Sequence, residues 1–149
     1  MSERHGVVVV VQQAGRFLVI RRAAEVLAGG AWCFVGGAID AGELQADAAV
    51  REFREEVGGQ VRPVAKVWEY DRGDGLRLHW WLAELCGDGA DLRPNPAEVA
   101  ELRWCTPDEI ERLPGILTGN VCFLRAVGRR LLEESGRAGG CRRQTGRGG

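Results

Sequence analysis

Residues 36–59 read GGAIDAGELQADAAVREFREEVGG. A glycine-rich loop runs here into one amphipathic helix. From about Leu44 to Val57 there is no proline or glycine, and alanine, the best helix former, is abundant. Ala46, Ala49, Val50, Phe53 and Val57 recur at helical spacing and share an apolar face. Gly58-Gly59 supplies the stop, because glycine takes the left-handed conformation that ends a helix.

Glu52, Glu55 and Glu56 stand at i, i+3 and i+4, on a face adjacent to the apolar one. Like charges at that spacing destabilise a bare helix by a few tenths of a kcal/mol per pair. Arg51 and Arg54 offset part of this, and a hard divalent cation would offset more. Magnesium prefers oxygen ligands and bridges carboxylates to substrate phosphates. The spacing alone fits two readings: a Mg²⁺ or Mn²⁺ site facing a phosphorylated ligand, or a solvated acidic helix face.

The longer register narrows the choice. Gly37, five residues, Glu43, seven residues, then Arg51-Glu52-Phe53-Arg54-Glu55-Glu56-Val57-Gly58 resembles the Nudix box, the signature of hydrolases acting on nucleoside diphosphates linked to another group. Every charged and glycine position of the box is present. Two neighbours depart from the family pattern: Gly59 stands where a bulky aliphatic is usual, and Val35 where many members carry proline. The resemblance implies metal held by Glu52, Glu55 and Glu56, with the Gly36 carbonyl as a further ligand. It also implies an Arg51–Glu43 pair bracing the loop against the helix. The reading of Glu43 as a first-turn acid facing the helix dipole is compatible with that.

The rest of the chain fits one domain. Its 149 residues suffice for a real core, and 45% hydrophobic with 28% charged content is ordinary for a soluble globular protein. A net charge of −1 argues against a generic nucleic-acid or membrane binder. Cys33, Cys86, Cys105, Cys122 and Cys141 are scattered and form no CxxC pair, so a reducing cytoplasm is the expected setting. Cys33, Cys105 and Cys122 lie in apolar contexts and read as small core residues. No run approaches ~18 apolar residues, and no signal-peptide pattern opens the chain.

Residues 6–11, GVVVVV, read as a buried strand, 12–15 as a turn and 16–22 as a second strand, together a hairpin. Arg21-Arg22 at its end reads either as a phosphate-binding pair or as an exposed strand end. Trp32 to Val35 form a short strand feeding a Gly36-Gly37 turn. Residues 60–70 and 76–85 flank the turn signal DRGDG and read as a second hairpin. It carries Trp68, Tyr70, His79, Trp80 and Trp81; an aromatic such as Trp80 could stack on a nucleobase or serve as packing. His79 reads as a hydrogen-bonded strand residue.

Glu98 and Glu101 precede the strand segment LRW, where the resemblance places an acid that completes the metal site or acts as base; a surface-loop acid is the other reading. Thr106, Pro107 and Glu109 mark a helix start with a capping box. Asn120 opens a last helix with Val121, Leu124, Val127 or Gly128, and Leu131 at helical spacing. By the resemblance it could read a purine edge; by residue type it is equally good as a cap. Residues 135–149 are Gly/Arg-rich without apolar periodicity and are expected to be a disordered tail on a domain spanning 1–134.

The element order and the resemblance agree on an α/β fold, an α/β/α sandwich around a mixed β-sheet. The implied activity is metal-dependent cleavage of a pyrophosphate bond in a small nucleotide, most simply a nucleoside triphosphate, oxidised or not. The contenders for the base that deprotonates water are Glu52, Glu55, Glu98 and Glu101. No stable nucleic-acid partner is expected. The competing class is a module on the same fold that binds nucleotide or RNA without cutting. Such relatives lose box carboxylates, and this chain keeps them.

Overall fold

The computed structural model describes residues 3–136. In chain order the elements are β1 (Arg4–Val10), β2 (Gln12–Gln13), β3 (Arg16–Arg22), β4 (Trp32–Ala38), α1 (Gln45–Val57), β5 (Val61–Asp71), β6 (Leu76–Leu85), β7 (Val99–Cys105), α2 (Pro107–Glu111) and α3 (Thr118–Phe123). The last helix continues through a π-helical stretch, Leu124–Gly128, and stays helical to residue 136. The expected tail lies almost wholly outside the described residues.

The seven strands form one mixed sheet in the order β2-β3-β4-β1-β6-β5, with β7 on the outer side of β3. β1 runs parallel to β6 and antiparallel to β4. Strand alternation sends Val7, Val9, Leu18, Ile20, Cys33 and Val35 to one face, where Ala48, Ala49, Phe53 and Val57 of α1 cover them. Val8, Val10, Phe17, Val19, Phe34 and Trp80 go to the other face, under Ile110 of α2 and Phe123 and Leu124 of the last helix. The result is the expected α/β/α sandwich. No helix among the described residues is long and apolar enough to cross a membrane.

Several sequence expectations need correction. The first hairpin shrinks to β2 and β3, which pair at Gln12–Phe17 and Gln13–Arg16 around a turn at Ala14-Gly15. The long strand β1 pairs with β4 and β6, because an all-valine strand buried on both faces belongs in the middle of a sheet, away from its hairpin neighbour. Gly36-Gly37 is no turn but the second half of β4, paired with Val8 and Val7. The buried stripe of α1 is also rotated: Ala48, Ala49, Glu52, Phe53, Glu56 and Val57 are buried, whereas Ala46 and Val50 are only half-buried. The last helix starts at Thr118, so Asn120 lies inside its first turn rather than capping it.

Both departures from the box pattern have a packing reason. A Cβ on Gly59 would lie 2.4 Å from Leu92 and 2.7 Å from Phe53, so Leu92 fills the space an aliphatic side chain would otherwise take. Val35 is fully buried and sits opposite Val9 in the ladder, a place for a strand former.

Candidate active site

The site is built where α1 crosses the glycine half of β4. Gly58, with φ 69°, ends α1, and its N–H donates to the Arg54 carbonyl at 3.0 Å. Within the last two turns before it, Glu52 and Glu56 turn inward, with only 8% and 4% of their surface exposed. Glycine makes this possible. A Cβ on Gly37 would lie 2.4 Å from the Glu52 carboxylate, and one on Gly36 would lie 2.4 Å from the Val7 carbonyl oxygen. The Gly36 N–H donates to Glu56 Oε2 at 3.2 Å.

Arg51 ties the loop before α1 to the helix. Its Nε and Nη2 donate to the two Glu43 oxygens at 2.8 and 2.9 Å, and Nη2 also reaches the Ala38 carbonyl at 2.9 Å. Its Nη1 donates to Glu52 at 2.9 Å and to Glu55 at 3.2 Å. The Arg51 contacts, with the Asp40 N–H, hold the Glu43 carboxyl down at about 2. The buried carboxylates move the other way. Burial raises Glu52 despite Arg51 beside it, and burial followed by the Glu52 charge pushes Glu56 up to about 8. Glu55 is exposed.

Glu98 belongs to this neighbourhood, since its charge raises both Glu52 and Glu56. Asn95 puts it there, a residue the sequence reading overlooked. The Asn95 N–H donates to the Glu56 carbonyl at 2.8 Å and its Nδ2 to the Glu55 carbonyl at 3.1 Å. Its Oδ1 accepts from the Ala97 N–H at 3.2 Å, and the Ala23 N–H holds the Glu98 carbonyl at 3.0 Å. The Asn-Pro pair at 95–96 is a turn signal that could have marked it. Glu101 is spent elsewhere: it pairs with Arg103 at 2.7 Å and Arg21 at 3.4 Å, which keep its carboxyl low.

The arginine pair is split, as alternation along a strand requires. Arg21 stays with Glu101, whereas Arg22 donates to the Leu27 carbonyl at 2.6 Å and its charge lowers Glu56. Arg22, Gly36, Gly37 and Glu43 also line a groove of about 1250 Å³. Phe34, Tyr70, Leu78, Trp80, Leu117 and Asn120 line it further along. Two of the substrate-binding candidates also make structural contacts there. Asn120 Oδ1 accepts from the Phe34 N–H, and its Nδ2 donates to the Leu117 carbonyl, each at 3.0 Å. The ring of Trp80 stacks on Phe123, with centroids 4.3 Å apart and planes 13° apart, so that face is closed to a base.

A family model of the NUDIX domain matches residues 2–127. The chain belongs to the Nudix family. It is 35% identical over 127 residues to an RNA pyrophosphohydrolase of Erythrobacter litoralis, a match covering 70% of this chain and 73% of that one. It is 30% identical over 111 residues to the CTP pyrophosphohydrolase of Escherichia coli, covering 72% and 79%. Its fold is that of a NUDIX hydrolase from Nitrosomonas europaea, with a TM-score of 0.73 at 21% identity over 90% of this chain and 72% of that one. Glu43 and Arg51–Gly58 are thus the Nudix box on its proper loop and helix, and the chain is a Nudix-type hydrolase that cleaves pyrophosphate bonds of nucleotides.

Nudix hydrolases generally work with a divalent cation. The donor chemistry here fits one. Glu52 and Glu56 are hard oxygen donors, buried side by side and raised by burial, which is a standing demand for positive charge. Among the described residues no three acidic, histidine or cysteine side chains converge as a ligating group; one oxygen each of Glu52 and Glu55 accepts from Arg51.

Proposed function

We propose that this protein hydrolyses a pyrophosphate bond of a nucleoside triphosphate, oxidised or not, or of another small nucleotide, using Mg²⁺ or Mn²⁺. The observation that carries the reading is the burial of Glu52 and Glu56 against Gly36 and Gly37, two glycines that themselves line the groove. Glu52, Glu55, Glu56 and the Gly36 carbonyl would hold the ion. When bound, a divalent ion offsets the diphosphate charge and lowers the pKa of water.

The chain's own residues supply the rest. Arg51 fixes Glu52 against the loop, and Arg22, which lines the groove, gives the diphosphate a guanidinium. Glu98, exposed and held by the Asn95 turn, takes the proton from the attacking water, with Glu52 and Glu55 as the other candidates. Glu101 drops out of that role because Arg21 and Arg103 hold its carboxylate. The cytoplasm is the setting this chemistry suits.

A second reading is hydrolysis at the triphosphorylated end of an RNA. The relative from Erythrobacter litoralis bears the name RNA pyrophosphohydrolase, and the groove is larger than the roughly 300–1,000 Å³ typical of small-ligand pockets. Side-by-side turnover of free triphosphates and of a 5′-triphosphorylated oligonucleotide, with EDTA as control, decides between them. A folded protein that binds these compounds and cleaves none would be a non-catalytic module.

A further inference from the structure

One buried polar group of a groove-lining residue lacks a partner. Trp80 is 1% exposed, it lines the groove, and its Nε1 has no hydrogen-bond partner. Its surroundings explain why. Phe123 covers one face, and Phe34 and Trp68 meet the ring edge-on at 66° and 69°. None of these side chains except Trp68 carries a polar atom, and an indole is a donor only. Asn120, the amide that lines the groove, does not serve it: its Oδ1 accepts from the Phe34 N–H. Next along β6, on the opposite face, the Trp81 Nε1–H is satisfied by Gln45 Oε1 at 2.9 Å. Leaving a buried donor unpaired is costly, so such groups normally have a partner.

The groove around Trp80 suits a flat ring. Gly6, Gly36 and Ala38 lie on the same sheet face as Trp80 and leave its floor shallow, while Phe34, Leu78 and Tyr70 supply apolar walls. Resting on the nucleotide reading above, we propose that the Trp80 indole N–H is a specificity-determining donor that accepts a nucleobase through a keto oxygen. Guanine and thymine or uracil present a keto oxygen where adenine and cytosine present an amino group. An amino group there would face the N–H donor to donor.

The test replaces Trp80 site-specifically with benzothienylalanine, which keeps the bicyclic ring and has sulfur in place of N–H. A Trp80→Phe variant and melting curves monitor the fold. Affinities of non-hydrolysable GTP, UTP, ATP and CTP analogues are measured by calorimetry. The unmodified protein is expected to favour the keto pair by about tenfold, and the analogue to bring that ratio close to unity. If the analogue weakens all four alike, or leaves the ratio intact, Trp80 serves packing or holds a water only, and the proposal is overturned. Binding of all four without preference overturns it while sparing the nucleotide reading. No binding by the folded, unmodified protein overturns it together with the triphosphate form of the nucleotide reading.

Discussion

The Glu52 carboxylate occupies the space in which a side chain at Gly37 would begin, 2.4 Å from the point where that Cβ would lie. The neighbouring glycine meets a different obstacle, the Val7 carbonyl oxygen, also at 2.4 Å. A flexible carboxylate can move and a ladder carbonyl cannot. Gly37→Ala should therefore keep most of its stability and lose activity, by about 10²-fold or more, because Glu52 is displaced. Gly36→Ala should lose about 1–3 kcal/mol of stability through overpacking. Urea unfolding and turnover on the same two variants check both; equal behaviour would remove the distinction.

Arg51 joins Glu43, Ala38, Glu52 and Glu55 through one planar fork. A lysine ammonium cannot span those partners. Arg51→Lys should lower kcat/KM at least tenfold and stability by about 1–2 kcal/mol. The double variant Arg51→Lys with Glu43→Gln should lose less than the sum of the singles. Strict additivity in a double-mutant cycle would argue that the two side chains act separately.

Burial, then the Glu52 charge, raises the Glu56 carboxyl from an ordinary 4.5 to about 8. Without metal, the folded chain keeps a proton that the unfolded chain gives up above about 4.5. The stabilisation is complete below that pH and is lost as pH rises through about 8. The melting temperature in EDTA should accordingly fall across this window, and Glu56→Gln should flatten the fall. Added Mg²⁺ or Mn²⁺ should raise the melting point most at the alkaline end. A metal-free melting point that climbs between pH 5 and 8 in the native chain, and not in Glu56→Gln, would reverse the sign assigned here.

Asn95 holds the turn that presents Glu98, bonding the last turn of α1 on one side and the Ala97 N–H on the other. Asn95→Ala should reduce kcat about tenfold with little change in KM, and Glu98→Gln should reduce it further. Turnover of Glu98→Gln at the native rate would assign the base to Glu52 or Glu55.

Much of this arrangement was readable in the sequence because local signals were strong. The alanine-rich run closed by Gly58-Gly59 marked α1 to within a residue at its start, and β3 and β6 lie where their apolar runs lie. The Thr106 capping box is formed as read. What failed was non-local. Two glycines in a row look like a turn, yet here they are strand residues made necessary by Val7 and Glu52, which approach from other elements. A strand buried on both faces does not disclose its neighbours, so the sequence pairs β1 with the strand that follows it, whereas its partners are β4 and β6. Trp80 could not be assigned a face, and Phe123, which covers it, was not singled out at all. Glu98 and Glu101 are three residues apart, and only the third dimension pairs Glu101 with arginines while leaving Glu98 beside α1.

The central claim is that Glu52 and Glu56 hold a divalent ion for pyrophosphate hydrolysis. The most direct measurement is phosphate release, through a pyrophosphatase- or phosphatase-coupled assay, from nucleoside triphosphates, ADP-ribose, dinucleoside polyphosphates and NADH. It is run with Mg²⁺, Mn²⁺ or EDTA, for the native chain and for Glu52→Gln and Glu56→Gln. The account predicts turnover of at least one compound that vanishes in EDTA and falls by about 10²-fold or more in each variant. Turnover that persists in EDTA, or that both variants retain with metal present, would contradict it.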